Sequence, residues 1–438
     1  MSDSVYQFIT LDLFPLLAAT LASLVCALLG NYLVLRRQSM MGDAISHAVL
    51  PGLVVAFLIT QQRLPIPMFL GAAVAGLVTV VLIELVRKLG RVEPGAAMGV
   101  VFSVLFAFGV LLLSSDRMRN VDLDADCVLH GVLEGLTLNL PHGTPHTWSG
   151  VFSTANLVHV PRPVVTLLVV LLISSACVVL LFKEFRLAAF DPALATAQGF
   201  RAGALHLLLM ALVAAATVAS FEAVGSILVI AMLICPAAAG RLLTDRLKTQ
   251  IWISLLLALA SSVLGYAGAI FIPGAIGHES VSVAGSIAVA SGLILALAAL
   301  FAPTHGVLAR TLRQKRLTRE IAIDDLLAML YRSREIEPES PRLAAIASAT
   351  SPGALTGARQ ADLITIADER VTLTPSGLDR ARALVRTHRL WESYLVDQAG
   401  LAPDHVHEVA EQLEHTNLTP PDAEHDPHGR RIPLGGKE

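Results

Sequence analysis

Nine apolar runs, each close to the length that crosses a bilayer, fix most of what this chain can become. They fall near residues 12–35, 44–61, 67–88, 96–114, 163–182, 204–221, 223–243, 250–272 and 281–302. A helix needs about 20 predominantly apolar residues to cross the hydrocarbon core. Within that core each backbone polar group must be bonded inside its own segment, which leaves the α-helix as the spanning form for such runs. The runs at 44–61 and 204–221 are short, so their ends are soft. Basic residues follow a strict rule: Arg36-Arg37, Arg87-Lys88-Arg91, Lys183-Arg186-Arg201, Arg241-Arg246-Lys248 and the Arg310–Arg319 cluster all occupy alternate connections. Basic connections are retained in the cytoplasm. One orientation satisfies every loop, with the N-terminus outside and the C-terminal tail in the cytosol.

Composition agrees. Of 438 residues, 54% are hydrophobic and 15% charged, against roughly 25% charged in a soluble domain. The mean hydropathy is +0.66. The expected fold is an all-α polytopic membrane protein with a soluble minority. A net charge of −3 gives no nucleic-acid signal. Cys26, Cys127, Cys177 and Cys235 have neither the spacing of a disulfide framework nor that of a thiolate metal cluster. No Lys or Arg precedes the first run, so it reads as a true span rather than a cleaved signal. No G-x-x-x-x-G-K-[ST] loop occurs, so by that signature the chain holds no ATP site.

The most informative stretch is Arg36-Arg37-Gln38-Ser39-Met40-Met41-Gly42-Asp43-Ala44-Ile45-Ser46-His47-Ala48-Val49-Leu50-Pro51-Gly52. Asp43 and His47 are one helical turn apart and share a face. Charged side chains in a span are costly and usually face the bundle interior or a wet path. A carboxylate oxygen beside an imidazole nitrogen suits a divalent transition ion such as Mn, Fe or Zn. Spacing alone also allows Asp43 to be a helix cap with His47 packed on a neighbouring carbonyl. The wording Met-Gly-Asp-Ala-Ile-Ser-His-Ala-Val-Leu-Pro-Gly resembles the signature of the manganese/zinc/iron (ABC-3 type) permeases of ABC importers. That resemblance implies that Asp43 and His47 lie on the metal's route.

Two further stretches carry the same likeness. Phe190-Asp191-Pro192-Ala193-Leu194-Ala195-Thr196-Ala197-Gln198-Gly199 reads as N-cap, first-turn proline, short helix and glycine stop. A short surface helix of this kind needs no role. It is similar to the family's Phe-Asp-Pro-x-x-Ala…Gly element, which implies that Phe190, Asp191, Pro192, Ala195 and Gly199 seat in a groove of an ATPase subunit. Ala223–Arg241 matches a third family stretch, where small residues permit close helix approach and Pro236 predicts a kink. The external segment 115–162 holds Asp116, Asp122, Asp124, Asp126, His130, His142, His146 and His159. They are either a metal-collecting vestibule or the ordinary polarity of a loop, and Val128–Gly135 is a candidate short helix.

Beyond Pro303 the chain turns charged and soluble. The expected division is a permease domain over 1–303, a basic linker over 304–320 and a small cytosolic α+β domain over 321–438. Asp324–Arg334 and Arg342–Ser348 read as helices. Leu363–Ile366 and Val371–Leu373 flank Asp368-Glu369 as a β-wing. Helices follow over 374–399 and Asp404–His415. Leu373-Thr374-Pro375-Ser376-Gly377, His388-Arg389-Leu390-Trp391-Glu392, Val406-His407, Glu411-x-x-Glu414-His415 and Asp426–Pro433 resemble the iron- and manganese-dependent repressors of the diphtheria-toxin-repressor family. The likeness implies a winged-helix and dimerisation module with two metal sites. His388, Glu392 and His407 fall on one; Glu411, Glu414 and His415, with Asp325, fall on the other. Glu411 stands where some iron repressors have cysteine, which favours Mn or Fe(II). Ala328 replaces a carboxylate found in manganese-responsive members. The segment 349–361, where a DNA-reading helix belongs, is shortened and carries only Arg359 as a cation, against the basic footprint that DNA binding needs.

Together these resemblances imply the permease subunit of an ATP-driven Mn, Fe or Zn importer in a bacterial cytoplasmic membrane. It is a translocation subunit and not an enzyme. The implied partners are a separate ATPase, an extracytoplasmic metal-binding protein and a second permease subunit. The alternative is a membrane-tethered or proteolytically released metal-dependent transcriptional regulator. A proton-driven carrier ranks lower, because it has no use for Phe190-Asp191-Pro192.

Overall fold

In a computed structural model, the described residues are 6–62, 65–114, 133–137, 160–276, 281–336, 341–414 and 421–433. The chain forms two compact units, Met1–Ala309 and Arg310–Glu438.

Among the described residues of the first unit, nine helices are long and apolar enough to cross a membrane. They are α1 (Leu13–Leu35, preceded by a π-helical turn over Phe8–Asp12), α2 (Met41–Thr60), α3 (Pro65–Gly90), α4 (Pro94–Leu113) and α5 (Arg162–Leu180). Two short helices follow, α6 (Phe182–Phe190) and α7 (Pro192–Ala197). The remaining spans are α8 (Ala202–Val224), α9 (Ser226–Leu243), α10 (Leu247–Ile276) and α11 (Val283–Phe301). The expected span count therefore holds for the described chain. The α8–α9 connection is a single residue, Gly225, at φ +79°, a conformation glycine adopts without Cβ strain. α9 runs through Pro236 as one helix.

α1 is the axis of the bundle. Ala18, Val25, Leu29 and Leu33 are fully buried on it, as expected for a helix apolar on every side. Lipid tails are as apolar as these side chains, so polar contacts and close packing must set the register. Asn31 donates to Ser254 Oγ on α10 at 2.6 Å and accepts from Gln250 Nε2 at 3.0 Å. Ser262 donates to Ser23 at 2.7 Å. Such bonds average about 0.6 kcal/mol each in a bilayer.

Small residues lock α2 in place. A Cβ on Gly52 would lie 2.4 Å from the carbonyl oxygen of Gly71 on α3, and one on Gly71 would lie 2.6 Å from Gly52 O. On the next side Pro51 rests against Gly109 of α4, where a Cβ would meet the ring at 2.9 Å. The Pro-Gly that closes the sequence signature is thus a packing requirement. Gly52→Val should cost at least about 1–3 kcal/mol by overpacking. The expected result is a sharp fall in folded protein in the membrane, read by gel filtration in detergent; a monodisperse, normally abundant variant would refute the tight crossing.

The second unit opens within α12 (Val307–Ile336), so the segment expected as a linker over 304–320 is helical from Val307 onward. α13 (Leu343–Ala349) and α14 (Pro352–Gln360) follow, then the hairpin β1 (Ile364–Ala367) and β2 (Arg370–Leu373), α15 (Pro375–Asp397) and α16 (His407–Glu414). The strands pair antiparallel from Ile364↔Leu373 to Ala367↔Arg370. Asp368 and Glu369, both at positive φ, make the two-residue turn, as a tight hairpin demands. Ile323, Leu326, Leu327 and Leu330 of α12 form the core with Ile346, Ala358, Ile364 and Val371. Thr374 caps α15 by accepting from Gly377 N at 3.1 Å, with Pro375 in the first turn. A second cluster joins Trp391 and Leu395 of α15 to Val406 and Ala410.

Candidate metal centres

The first candidate lies at the start of α2. Asp43 is in its first turn, and His47 Nε2 lies 3.3 Å from Asp43 Oδ1. Met41, Gly42, Ala44 and Ile45 are buried, while the pair is part-exposed on the other face. Asp43 does not act as the N-cap; Met40 holds that position and makes no side-chain bond. Nor, among the described residues, does His47 bond to a carbonyl. Its ring packs on Phe102 of α4, with centroids 5.1 Å apart, and edge-on to Phe106 at 5.9 Å. The two phenyl rings hold the imidazole where Nε2 meets the carboxylate. An oxygen and a nitrogen donor this close could supply two ligands of a divalent ion, short of a full coordination sphere.

The coupling candidate sits between α6 and α7. Asp191 Oδ1 accepts from Ala193 N at 3.0 Å and Leu194 N at 2.9 Å, an N-cap worth about 1 kcal/mol. Pro192 is the first residue of α7. Phe200 N bonds back to Ala195 O at 3.0 Å, with Gly199 at φ +87°, the glycine-type helix stop. Ala195 is fully buried, whereas Phe190 and Leu194 are exposed. The short helix therefore presents an apolar side outward.

In the second unit the structure brings together His388, Glu392 and His407. His388 and Glu392 are one turn apart on α15, with only 2% and 4% of their surfaces exposed; His407 opens α16. His388 Nε2 lies 3.1 Å from Glu392 Oε1 and 2.9 Å from His407 Nδ1, and the latter is 2.9 Å from the same carboxylate oxygen. Among the described residues it is the one cluster of three such donors able to hold an ion. Burial pushes the Glu392 carboxyl up, but hydrogen bonds from both histidines, with their charges, outweigh it and hold it down at about 2. That stabilisation is full above its ordinary value of 4.5 and fades as the pH falls toward 2. Three converging ligand atoms with a triangle this small fit one ion about 2.1 Å from each. His407 is exposed along half its side chain, which gives an ion a way in.

For the second tail site, Asp325 of α12 and Glu411 of α16 line one cavity of about 400 Å³, together with Ala328 and Arg332. Ala328 contributes no oxygen there. The Glu414 side chain, His415 and the external-loop residues Asp116, Asp122, Asp124, Asp126, His130, His142, His146 and His159 lie outside the described residues. So does the expected short helix except at its end, where Leu133–Gly135 form a 3₁₀ turn.

Sequence reasoning missed a buried arginine. Arg389 donates to Glu335 through both terminal nitrogens, donates to Arg431 O at 2.9 Å, and faces Asp426 at 3.8 Å. Asp426 Oδ1 in turn accepts from the backbone of His428 and Arg430. Arg389 sits inside the His388–Glu392 motif, and local spacing gives no sign that its partners come from the end of α12 and from residues 426–431.

Residues 10–140 and 155–296 match the ABC 3 transport family, and residues 374–418 match the iron dependent repressor, metal binding and dimerisation domain. The manganese transport system membrane protein MntD of Bacillus subtilis is 41% identical over 68% of this chain and 94% of its own. The zinc transport system membrane protein TroD of Treponema pallidum is 37% identical over 73% of this chain and 81% of its own. Among solved structures, PsaBC from Streptococcus pneumoniae in complex with Fab superposes with a TM-score of 0.53 at 27% identity, covering 69% of this chain and 94% of that one. A nine-span unit with the Asp43–His47 signature, followed by a unit that brings His388, Glu392 and His407 together, accounts for both matches: the chain belongs to the ABC 3 transport family, and its C-terminal side carries a segment, residues 374–418, like the metal binding and dimerisation domain of iron dependent repressors.

Proposed function

We propose that this chain is the membrane-spanning permease subunit of an ATP-driven importer of a divalent transition metal ion, Mn, Fe or Zn. The Asp43–His47 pair, 3.3 Å apart at the start of a span, is the observation that carries the reading. An oxygen and a nitrogen donor bind such ions, and two donors release them more readily than a full shell. Relatives named for manganese and zinc transport support the same cargo class. In this reading the N-terminus lies outside and the tail in the cytosol, the orientation that the alternation of basic connections supports. A separate ATPase engages the α6–α7 segment through Phe190 and Leu194, with Asp191, Pro192, Ala195 and Gly199 fixing its shape. An extracytoplasmic binding protein delivers the ion, and a second permease subunit completes the path.

The tail senses the imported metal. His388, Glu392 and His407 hold one ion, and Asp325, Glu411, Glu414 and His415 hold another. Their oxygen and nitrogen donors favour Mn or Fe(II) over a thiolate-type site. In this role the metal is a signal: it draws α15 and α16, or α12 and α16, onto shared ligands, and transport slows when cytosolic metal is plentiful. The regulator reading is weaker. Among the described side chains of α14 the exposed positions are Gly353, Thr356, Arg359 and Gln360, too little charge for phosphate contacts.

The deciding assay is metal accumulation in cells lacking their own importers, supplied with this chain, its ATPase and its binding protein. Accumulation of Mn, Fe or Zn is expected only with all three. No accumulation of any of them, with the chain present in the membrane, would refute the importer reading.

A further inference from the structure

A second charged cavity lies where the ends of α1, α3 and α8 meet the helix that precedes the coupling turn. It measures about 430 Å³. Four cations line it, Arg36, Arg37, Arg87 and Lys88, against one carboxylate, Glu84. Glu84 is already engaged, bonding Arg87 at 2.8 Å and Lys88 at 3.3 Å. His206 adds no charge that could balance the rest. A guanidinium only donates, so the close contact from Arg36 to His206 Nδ1 makes that nitrogen an acceptor and the ring neutral. Its Nε2 faces Glu84 at 3.7 Å. Four cations against one carboxylate leave the wall a net charge of +3, and among the described residues Arg36 and Arg37 have no acidic partner.

Two further observations mark this as a binding site rather than a basic surface. The first turn of α8, at Ala202 and Gly203, forms part of the wall and has no side-chain cap; the Ala202 amide is bonded to Phe200 O, and the positive end of the helix dipole favours an anion beside it. Gln38, only 6% exposed, lines the same cavity with its Oε1 lacking any partner, as does the buried Nε of Arg36. A buried carbonyl oxygen seeks a donor. A simple carboxylate satisfies the cations and leaves Gln38 unmet. A phosphate ester whose far side carries a hydroxyl or ammonium group satisfies both.

We propose that this cavity binds a phosphate-ester anion, most naturally the headgroup of an inner-leaflet phospholipid such as phosphatidylglycerol. Its phosphate sits among Arg37, Arg87 and Lys88 at the positive end of α8, and its hydroxyl donates to Gln38. Basic residues at a cytoplasmic span end attract anionic headgroups; here they converge on one pocket with an apolar wall at Leu35 and Ala189. The site touches the coupling segment directly. Arg36 donates to Ala188 O of α6 at 2.8 Å, and Pro192 of α7 closes the wall. A bound headgroup therefore ties three spans to the helix pair that meets the ATPase. Binding itself does not depend on the importer reading; only this consequence rests on it.

The test counts lipids on the purified full-length chain by native mass spectrometry, titrated with phosphatidylglycerol or phosphatidylcholine, alongside binding of radiolabelled inorganic phosphate. The variant is Arg37→Gln/Lys88→Gln. Both side chains are largely exposed, and the Arg36–Ala188 and Glu84–Arg87 bonds are kept. Its melting temperature is the folding control. Selective phosphatidylglycerol binding that weakens about thirtyfold in the variant supports a lipid occupant. Phosphate binding lost in the variant, with no preference between lipids, supports the same site serving a free phosphate. Equal lipid and phosphate binding by the wild type and a normally folded variant would overturn the proposal. So would occupancy that depends on added ATPase subunit alone, which would assign the cavity to a protein carboxylate.

Discussion

Cells that rely on this chain for metal will lose uptake when Asp43 and His47 are both changed to alanine, with the protein still at its normal level in the membrane. The expected fall is to background. Even residues that only orient a metal ligand typically cost about 10–100-fold when removed, and here the donors themselves go. The fold should survive, because both side chains are part-exposed and the buried face of α2 is left intact. The ion whose accumulation disappears names the cargo. His47→Ala alone also strips the imidazole from Phe102 and Phe106, so Asp43→Asn serves as the milder control. Unchanged uptake in the double variant would make the pair structural and move the ion path elsewhere in the bundle.

The second large effect belongs to the tail. His388→Ala/Glu392→Ala should remove one bound metal per chain, measured by elemental analysis of the purified protein, and leave import running in metal-replete cells where the wild type slows. Both residues must go together. Glu392→Ala alone takes a buried carboxylate away from both His388 and His407, at about 1–3 kcal/mol, and confuses sensing with folding. Glu414→Ala/His415→Ala puts the same question to the second centre. Import that stays equally metal-repressible in both double variants would show the tail to be packing without a signal.

Much of this was legible from residue order, for identifiable reasons. The bilayer imposes span length and loop charge on every segment separately, so nine spans could be counted without tertiary information. Asp43 with His47, and His388 with Glu392, are turn-spaced on single helices, and helical geometry alone places such pairs on one face. Asp191-Pro192 and Thr374-Pro375 announce their helices because capping is local. What stayed hidden depends on distant elements. Phe102 and Phe106 reach His47 from another span, Arg36, Glu84 and His206 converge from three helices, and Arg389 meets Glu335 from the far end of α12. No period or motif records those meetings, and the long apolar runs that made the spans easy to count are silent about which faces touch.

The backbone-to-backbone seat of Gly52 on Gly71, with Pro51 on Gly109, has a mechanical meaning. Helices in such close register slide or twist past one another only by breaking the fit, so α2, α3 and α4 travel as one solid piece. Asp43 and His47 then cannot swing between two sides of the membrane by themselves. In the importer proposed above, the ion would have to change company instead: the pair would stay on its block while other walls approach and withdraw, and the ion would pass on when those walls supply or remove the rest of its ligands.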